Sequence, residues 1–127
     1  MSGSLRILVV EDCADTRTTL RWMLQAWGHQ VAEAADGPSA LCSAASFCPD
    51  VVLLDIGLPG LNGYEVAKQL RSLPNLAGSQ LVAVTGFGQQ DDVKHCFQAG
   101  CDTHFLKPYD PLALKRFLSL RVPQTTP

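Results

Sequence analysis

The chain has 127 residues, enough for one domain with an ordinary buried core. Apolar residues make up 46% and charged residues 17%, the mixture of a soluble globular domain. Net charge is only −2, with no run of like charges, so direct binding to nucleic acid or to an anionic membrane has no footing. No apolar stretch approaches the roughly 20 residues that cross a bilayer. The first residues, Met1-Ser2-Gly3-Ser4, lack the basic and apolar regions of a signal peptide, which makes a cytoplasmic location the expectation.

Short apolar runs alternate with helical patterns from the start of the chain. Ile7–Val10 is a continuous apolar run, as expected of a strand buried on both faces. Thr16–Trp27 then places Leu20, Met23, Leu24 and Trp27 on one helical face, and Gly28 stops the helix. Trp22 falls on the opposite side of that wheel, where a lone surface aromatic is favoured over a docking hot spot. Val31–Ala34 is a weaker strand, suited to an edge. Asp36-Gly37-Pro38 opens a second helix, with the proline where a missing N–H does no harm. Val51–Leu54 is the next buried strand. Asn62-Gly63 introduces a helix to about Ser72, and Pro74 prevents its continuation. Leu81–Val84 is a fourth strand, and a helix over about Gln89–Ala99 ends at Gly100. His104–Leu106 reads as the other edge strand. Asp110-Pro111 starts the last helix, with Leu112, Leu114, Phe117 and Leu118 as its apolar set. Val122–Pro127 reads as a frayed tail.

Five βα units in succession imply an α/β fold: a single doubly wound parallel sheet, (βα)5, with right-handed crossovers. The whole of 1–127 reads as one domain, its core running from about 5 to 120. The cysteines at 13, 42, 48, 96 and 101 are odd in number and irregularly spaced, so reduced thiols are expected. His95, Cys96, Cys101 and His104 can be assembled into a four-ligand zinc set, but their spacing matches no compact zinc motif. Small buried cysteines beside solvent-facing histidines are the favoured reading.

In an open α/β sheet, ligands bind at the carboxyl ends of the strands. The first strand delivers Glu11-Asp12 there, the third Asp55, the fourth Thr85 and the fifth Lys107-Pro108. At ~4 Å and an effective dielectric near 20, each pair of carboxylates repels by about 4 kcal/mol. Such a group persists only beside positive charge. Lys107 supplies one unit, and a hard divalent cation with oxygen ligands, magnesium, supplies the rest. With a phosphoryl donor the parts acquire roles: Asp55, at the end of a stiff strand, is the nucleophile. Lys107 and the Thr85 hydroxyl address the phosphoryl oxygens. Plainer readings stand beside these. Glu11 and Asp12 can serve as helix caps, Asp55 can form a structural pair with Lys107, and Thr85 can be a turn former.

The set Glu11-Asp12, Val51-Val52-Leu53-Leu54-Asp55 with Leu58-Pro59-Gly60-Leu61-Asn62-Gly63, Thr85-Gly86 and Phe105-Leu106-Lys107-Pro108 resembles the response-regulator receiver domains of two-component signalling systems. The resemblance runs from about Leu5 to Leu120. It implies a flavodoxin-like strand order 2-1-3-4-5 and a phosphorelay role, in which Asp55 accepts phosphate from a histidine kinase or histidine phosphotransfer protein. Asp12 is then a direct magnesium ligand and Glu11 acts largely through water. Asp55 and the Gly57 carbonyl complete the protein ligands. The resemblance also implies a shift of Thr85 towards the phosphoryl group that lets Phe105 swing inward. That repacks the face of the fourth helix, fifth strand and fifth helix, where an output protein or a second copy docks. Gly57 puts no side chain against the phosphoryl group, and Phe87 can shield it from water. The chain is thus expected to be a signalling domain rather than an enzyme acting on other substrates. A phosphorylation-independent pseudo-receiver is the alternative. An aspartate-nucleophile phosphohydrolase fits less well, because Gly57 stands where its second acid belongs, and a nucleotide binder wants a glycine-rich loop where Glu11-Asp12 stand.

Overall fold

A computed structural model describes residues 4–56, 63–85, 98, 100–106 and 110–121. In chain order the elements are β1 (Arg6–Val10), α1 (Ala14–Ala26), β2 (Gln30–Ala34), α2 (Gly37–Phe47), β3 (Val51–Asp55), α3 (Gly63–Arg71), a 3-10 turn (Pro74–Leu76), β4 (Gln80–Thr85), β5 (Thr103–Leu106) and α4 (Pro111–Ser119). The helix expected over Gln89–Ala99 lies outside the described residues apart from Gln98, which is helical.

All four strand pairings are parallel, and the sheet order is β2-β1-β3-β4-β5. The uninterrupted apolar runs occupy the middle of this sheet because each face carries its own helices. Successive side chains of a strand point to opposite faces. Leu8, Val10, Val52 and Leu54 accordingly join α2 and α3 on one side, through Ala40, Ala44, Ala67 and Leu70. Ile7, Val9, Val51 and Leu53 join α1 and α4 on the other, through Leu20, Leu24, Leu114 and Leu118. The weaker runs, β2 and β5, are the edges.

Local chemistry sets the helix ends. The Asp36 carboxylate accepts the Ser39 N–H at 2.8 Å and opens α2, with Pro38 in its first turn. Asp110 does the same for α4 through Leu112 N–H at 3.0 Å. Gly28, at φ 95°, closes α1 in a conformation that other residues resist. Pro74 does not merely end α3; it begins the 3-10 turn that leads into β4. Leu112 departs from the expected apolar set and is 66% exposed. It lies two residues before Leu114, about 200° around the helix, and so faces away from the sheet.

The amino edge of the sheet is tied by a dense polar network. Arg71 donates to the carbonyls of Gly100 (3.1 Å), Leu76 (3.0 Å) and Ser79 (3.1 Å) and pairs with the Asp102 carboxylate. Asp102 in turn accepts the Leu81 N–H at 2.8 Å. Asp50 accepts Arg6 N–H at 2.9 Å, and His29 Nδ1 accepts Leu5 N–H at 3.1 Å.

Candidate functional site

The opposite, carboxyl edge gathers acids. Glu11 follows β1, Asp12 comes next in the turn into α1, and Asp55 is the last residue of β3. Because β1 and β3 are hydrogen-bonded neighbours in parallel register, both strands deliver their acids to one place. One carboxylate oxygen from each of the three lies within 4.8 Å of the others. Glu11 is buried, 4% exposed, while Asp12 is exposed and Asp55 partly covered.

The Glu11 carboxyl is pushed above the usual carboxylate range, first by burial and then by the neighbouring Asp55 and Asp12 carboxyls. The Cys13 N–H, which donates to Glu11 Oε2 at 3.2 Å, opposes that shift. The backbone here is pinned as well: Glu11 N–H donates to the Ala34 carbonyl at 3.0 Å, and Arg17 Nη1 donates to the Glu11 carbonyl at 2.8 Å. Neither acid caps α1. The cap position belongs to Cys13, whose side chain makes no capping bond to the helix. A cleft of about 700 Å³ opens beside Glu11 and Asp55, walled by Val9, Leu20, Leu53 and Val84.

Thr85 is the last residue of β4, and its backbone pairs with Leu106 at the end of β5. That puts it on the same edge as Asp55, whose register partner is Val84. Phe105 is half-buried and meets Phe117 of α4 edge-on, ring centroids 5.8 Å apart. Gly57, Phe87 and Lys107 lie outside the described residues, as do His95 and Cys96 of the zinc set. Cys101 is buried in the core, and His104 is half-buried on β5. Cys13, Cys42 and Cys48 are exposed free thiols. Trp22 is 64% exposed, on the outer side of α1 where its helical position puts it. Arg17 joins the site only through the folded backbone. Its contact with Glu11 is made by a side chain reaching back to a carbonyl six residues earlier, and no local pattern announces such a bond.

A hard-oxygen donor set on a pinned loop at the carboxyl edge of a 2-1-3-4-5 sheet fits a divalent cation. The sequence model of the response regulator receiver domain matches residues 7–119. The chain belongs to the response-regulator receiver family. Sporulation initiation phosphotransferase F of Bacillus subtilis is 32% identical over 120 residues, an alignment covering 91% of this receiver and 95% of that protein. Response regulator PleD of Caulobacter vibrioides is 34% identical over 111 residues; the match takes in 87% of the receiver but only 24% of PleD. Among solved structures, the receiver domain of sensor histidine kinase PA1611 from Pseudomonas aeruginosa PAO1 superposes with a TM-score of 0.82 at 33% identity. That match covers 92% of this chain and 96% of the other, whose structure has a magnesium ion coordinated in its active-site cleft. The receiver is therefore a signalling domain of the two-component type. No described helix is long and apolar enough to cross a membrane.

Proposed function

We propose that this receiver takes a phosphoryl group onto Asp55 from a phosphohistidine of a histidine kinase or phosphotransfer protein, in the presence of magnesium. The observation that carries the reading is the meeting of Glu11, Asp12 and Asp55 oxygens within 4.8 Å at the carboxyl edge. Asp12 and Asp55 would hold the ion, Glu11 would assist largely through water, and the Gly57 carbonyl would complete the protein ligands. Bound there, magnesium neutralises oxygen charge on the carboxylates and on the incoming phosphoryl group.

The chain's own residues do the rest. β3, buried along Val51–Leu54, holds the Asp55 carboxylate at the end of a stiff strand, so its oxygen is aimed before the donor arrives. A carboxylate oxygen bonds to phosphorus while the donor histidine nitrogen departs. Lys107 bridges to the transferred group, and the Thr85 hydroxyl moves to donate to a phosphoryl oxygen. Phe105 rests on Phe117, so a turn of its ring changes the packing of β5 against α4. The face built from residues 89–99, β5 and α4 is then the output surface, offered to an output protein or a second copy. The domain's location is cytoplasmic in this reading.

Incubation with magnesium and acetyl phosphate should add one phosphoryl group to the wild type and none to Asp55→Asn. Intact mass spectrometry reads the difference, and equal labelling of the two proteins refutes the assignment.

A further inference from the structure

We infer that Arg17 is a positioning residue for the carboxylate cluster, holding the backbone of Glu11 so that the three acids keep a cation-binding arrangement. The inference rests on the magnesium reading above and extends it to a side chain assigned neither to the ion nor to the phosphoryl group.

Three carboxylates held this close push one another apart, and the β1–α1 turn is where the backbone can yield. Among the described residues, three hydrogen bonds of 2.8 to 3.2 Å at Glu11 and Cys13 oppose that relaxation. Glu11 N–H is held by the Ala34 carbonyl, Cys13 N–H by the Glu11 carboxylate, and the Glu11 carbonyl by Arg17 Nη1. The first is made between backbone atoms and the second by the acid itself. Arg17 alone among the three contributes a side chain that is not one of the acids. Its guanidinium also has a carboxylate beside it. Glu33 of β2 lies 3.8 Å from Arg17 Nε and accepts from Arg21 Nη1 at 3.2 Å. The Arg17 and Glu33 side chains are 21% and 26% exposed, so the pair is partly shielded from water. Glu33 therefore favours the side of α1 from which Arg17 reaches Glu11.

Arg21 separates positioning from simple charge. It shares Glu33 with Arg17 and carries the same charge, but among the described residues it pairs with Glu33 and not with Glu11. If only positive charge or bracing of α1 on β2 mattered, both arginines would act alike. If the bond to the Glu11 carbonyl matters, they differ.

The test is a magnesium chloride titration of the full chain, followed by NMR through the amides of Glu11, Asp12 and Cys13, on wild type, Arg17→Leu, Arg17→Lys and Arg21→Leu. Arg17→Leu should bind magnesium about tenfold more weakly, within the range seen when groups supporting a metal ligand are removed. Arg17→Lys keeps the charge and a single donor and should recover part of the loss. Arg21→Leu should bind as the wild type does. Thermal unfolding in EDTA shows which variants are folded. If Arg17→Leu does not fold, Arg17→Lys decides, and wild-type affinity in it overturns the inference. So does a folded Arg17→Leu with wild-type affinity, or an equal loss in Arg21→Leu. A wild type whose amides ignore magnesium overturns the magnesium reading itself, and this inference with it.

Discussion

The two edges of the sheet are built on opposite principles. At the amino edge, Arg71 meets three carbonyls and a carboxylate, and Asp102, Asp50 and His29 each accept a backbone N–H. Those bonds pair unlike groups, donor with acceptor. At the carboxyl edge, like charges are gathered, and burial together with the neighbouring acids drives the Glu11 carboxyl towards its protonated form. One end of the strands joins opposite charges and backbone groups, and the other concentrates carboxylates. This difference is the expected signature of a functional edge.

Changes at the two edges should therefore separate cleanly. The largest effect is expected at the carboxyl edge, on signalling alone: Lys107→Ala should retain the fold but lose the phosphorylation-dependent change. NMR or tryptophan fluorescence after acetyl phosphate treatment would show it, and a normal response would remove Lys107 from the bridge. At the amino edge, Arg71→Ala should cost about 3 kcal/mol, because it takes a charged donor away from three carbonyls and from Asp102. Urea unfolding measures that loss, while magnesium affinity should stay the same. A change in affinity would mean that the edges are coupled.

A smaller effect of opposite sign sharpens the contrast. In EDTA, Asp55→Asn should raise stability by about 1 kcal/mol, since it takes one carboxylate out of a group of three whose oxygens lie within 4.8 Å of one another. The same variant should gain less from added magnesium. A fall in melting temperature in EDTA would show that Asp55 is held by favourable contacts rather than against repulsion.

The smallest effect is expected from His29. Burial lowers its pKa below the usual value near 6.5, and its neutral Nδ1 accepts the Leu5 N–H. The folded state thus binds protons less readily than the unfolded chain, and stability rises with pH through this group. The contribution is whole above about pH 6.5 and is lost as pH falls through the lowered folded value. It should amount to no more than about 1 kcal/mol, the worth of one such bond. Melting curves at pH 7 and pH 5 should show a smaller acid-induced drop in His29→Ala than in the wild type. An identical drop would place the pH sensitivity elsewhere.

Strand positions, most helix starts and the membership of the acid cluster were legible in the sequence because each depends on short-range chemistry. Val51–Leu54 has no polar residue, so it had to be covered on both faces. Asp36 and Asp110 each precede a glycine or proline that opens a helix, and an acid at the end of a buried strand must emerge at the strand's rim. Leu112 departs for a local reason too: its apolar side chain sits at an angle on the wheel that faces water.

What only the folded chain decided was which distant backbone atoms meet. Arg17 reaches the Glu11 carbonyl because α1 lies against β2, and Arg71 joins Gly100, Leu76, Ser79 and Asp102 because three loops converge on the end of α3. Long flexible side chains carry no periodic signal, and any carbonyl in the chain is an equal partner until tertiary packing chooses one. The sequence by itself determined the fold and the chemistry that gathers at its edge; tertiary structure decided what holds that edge in place.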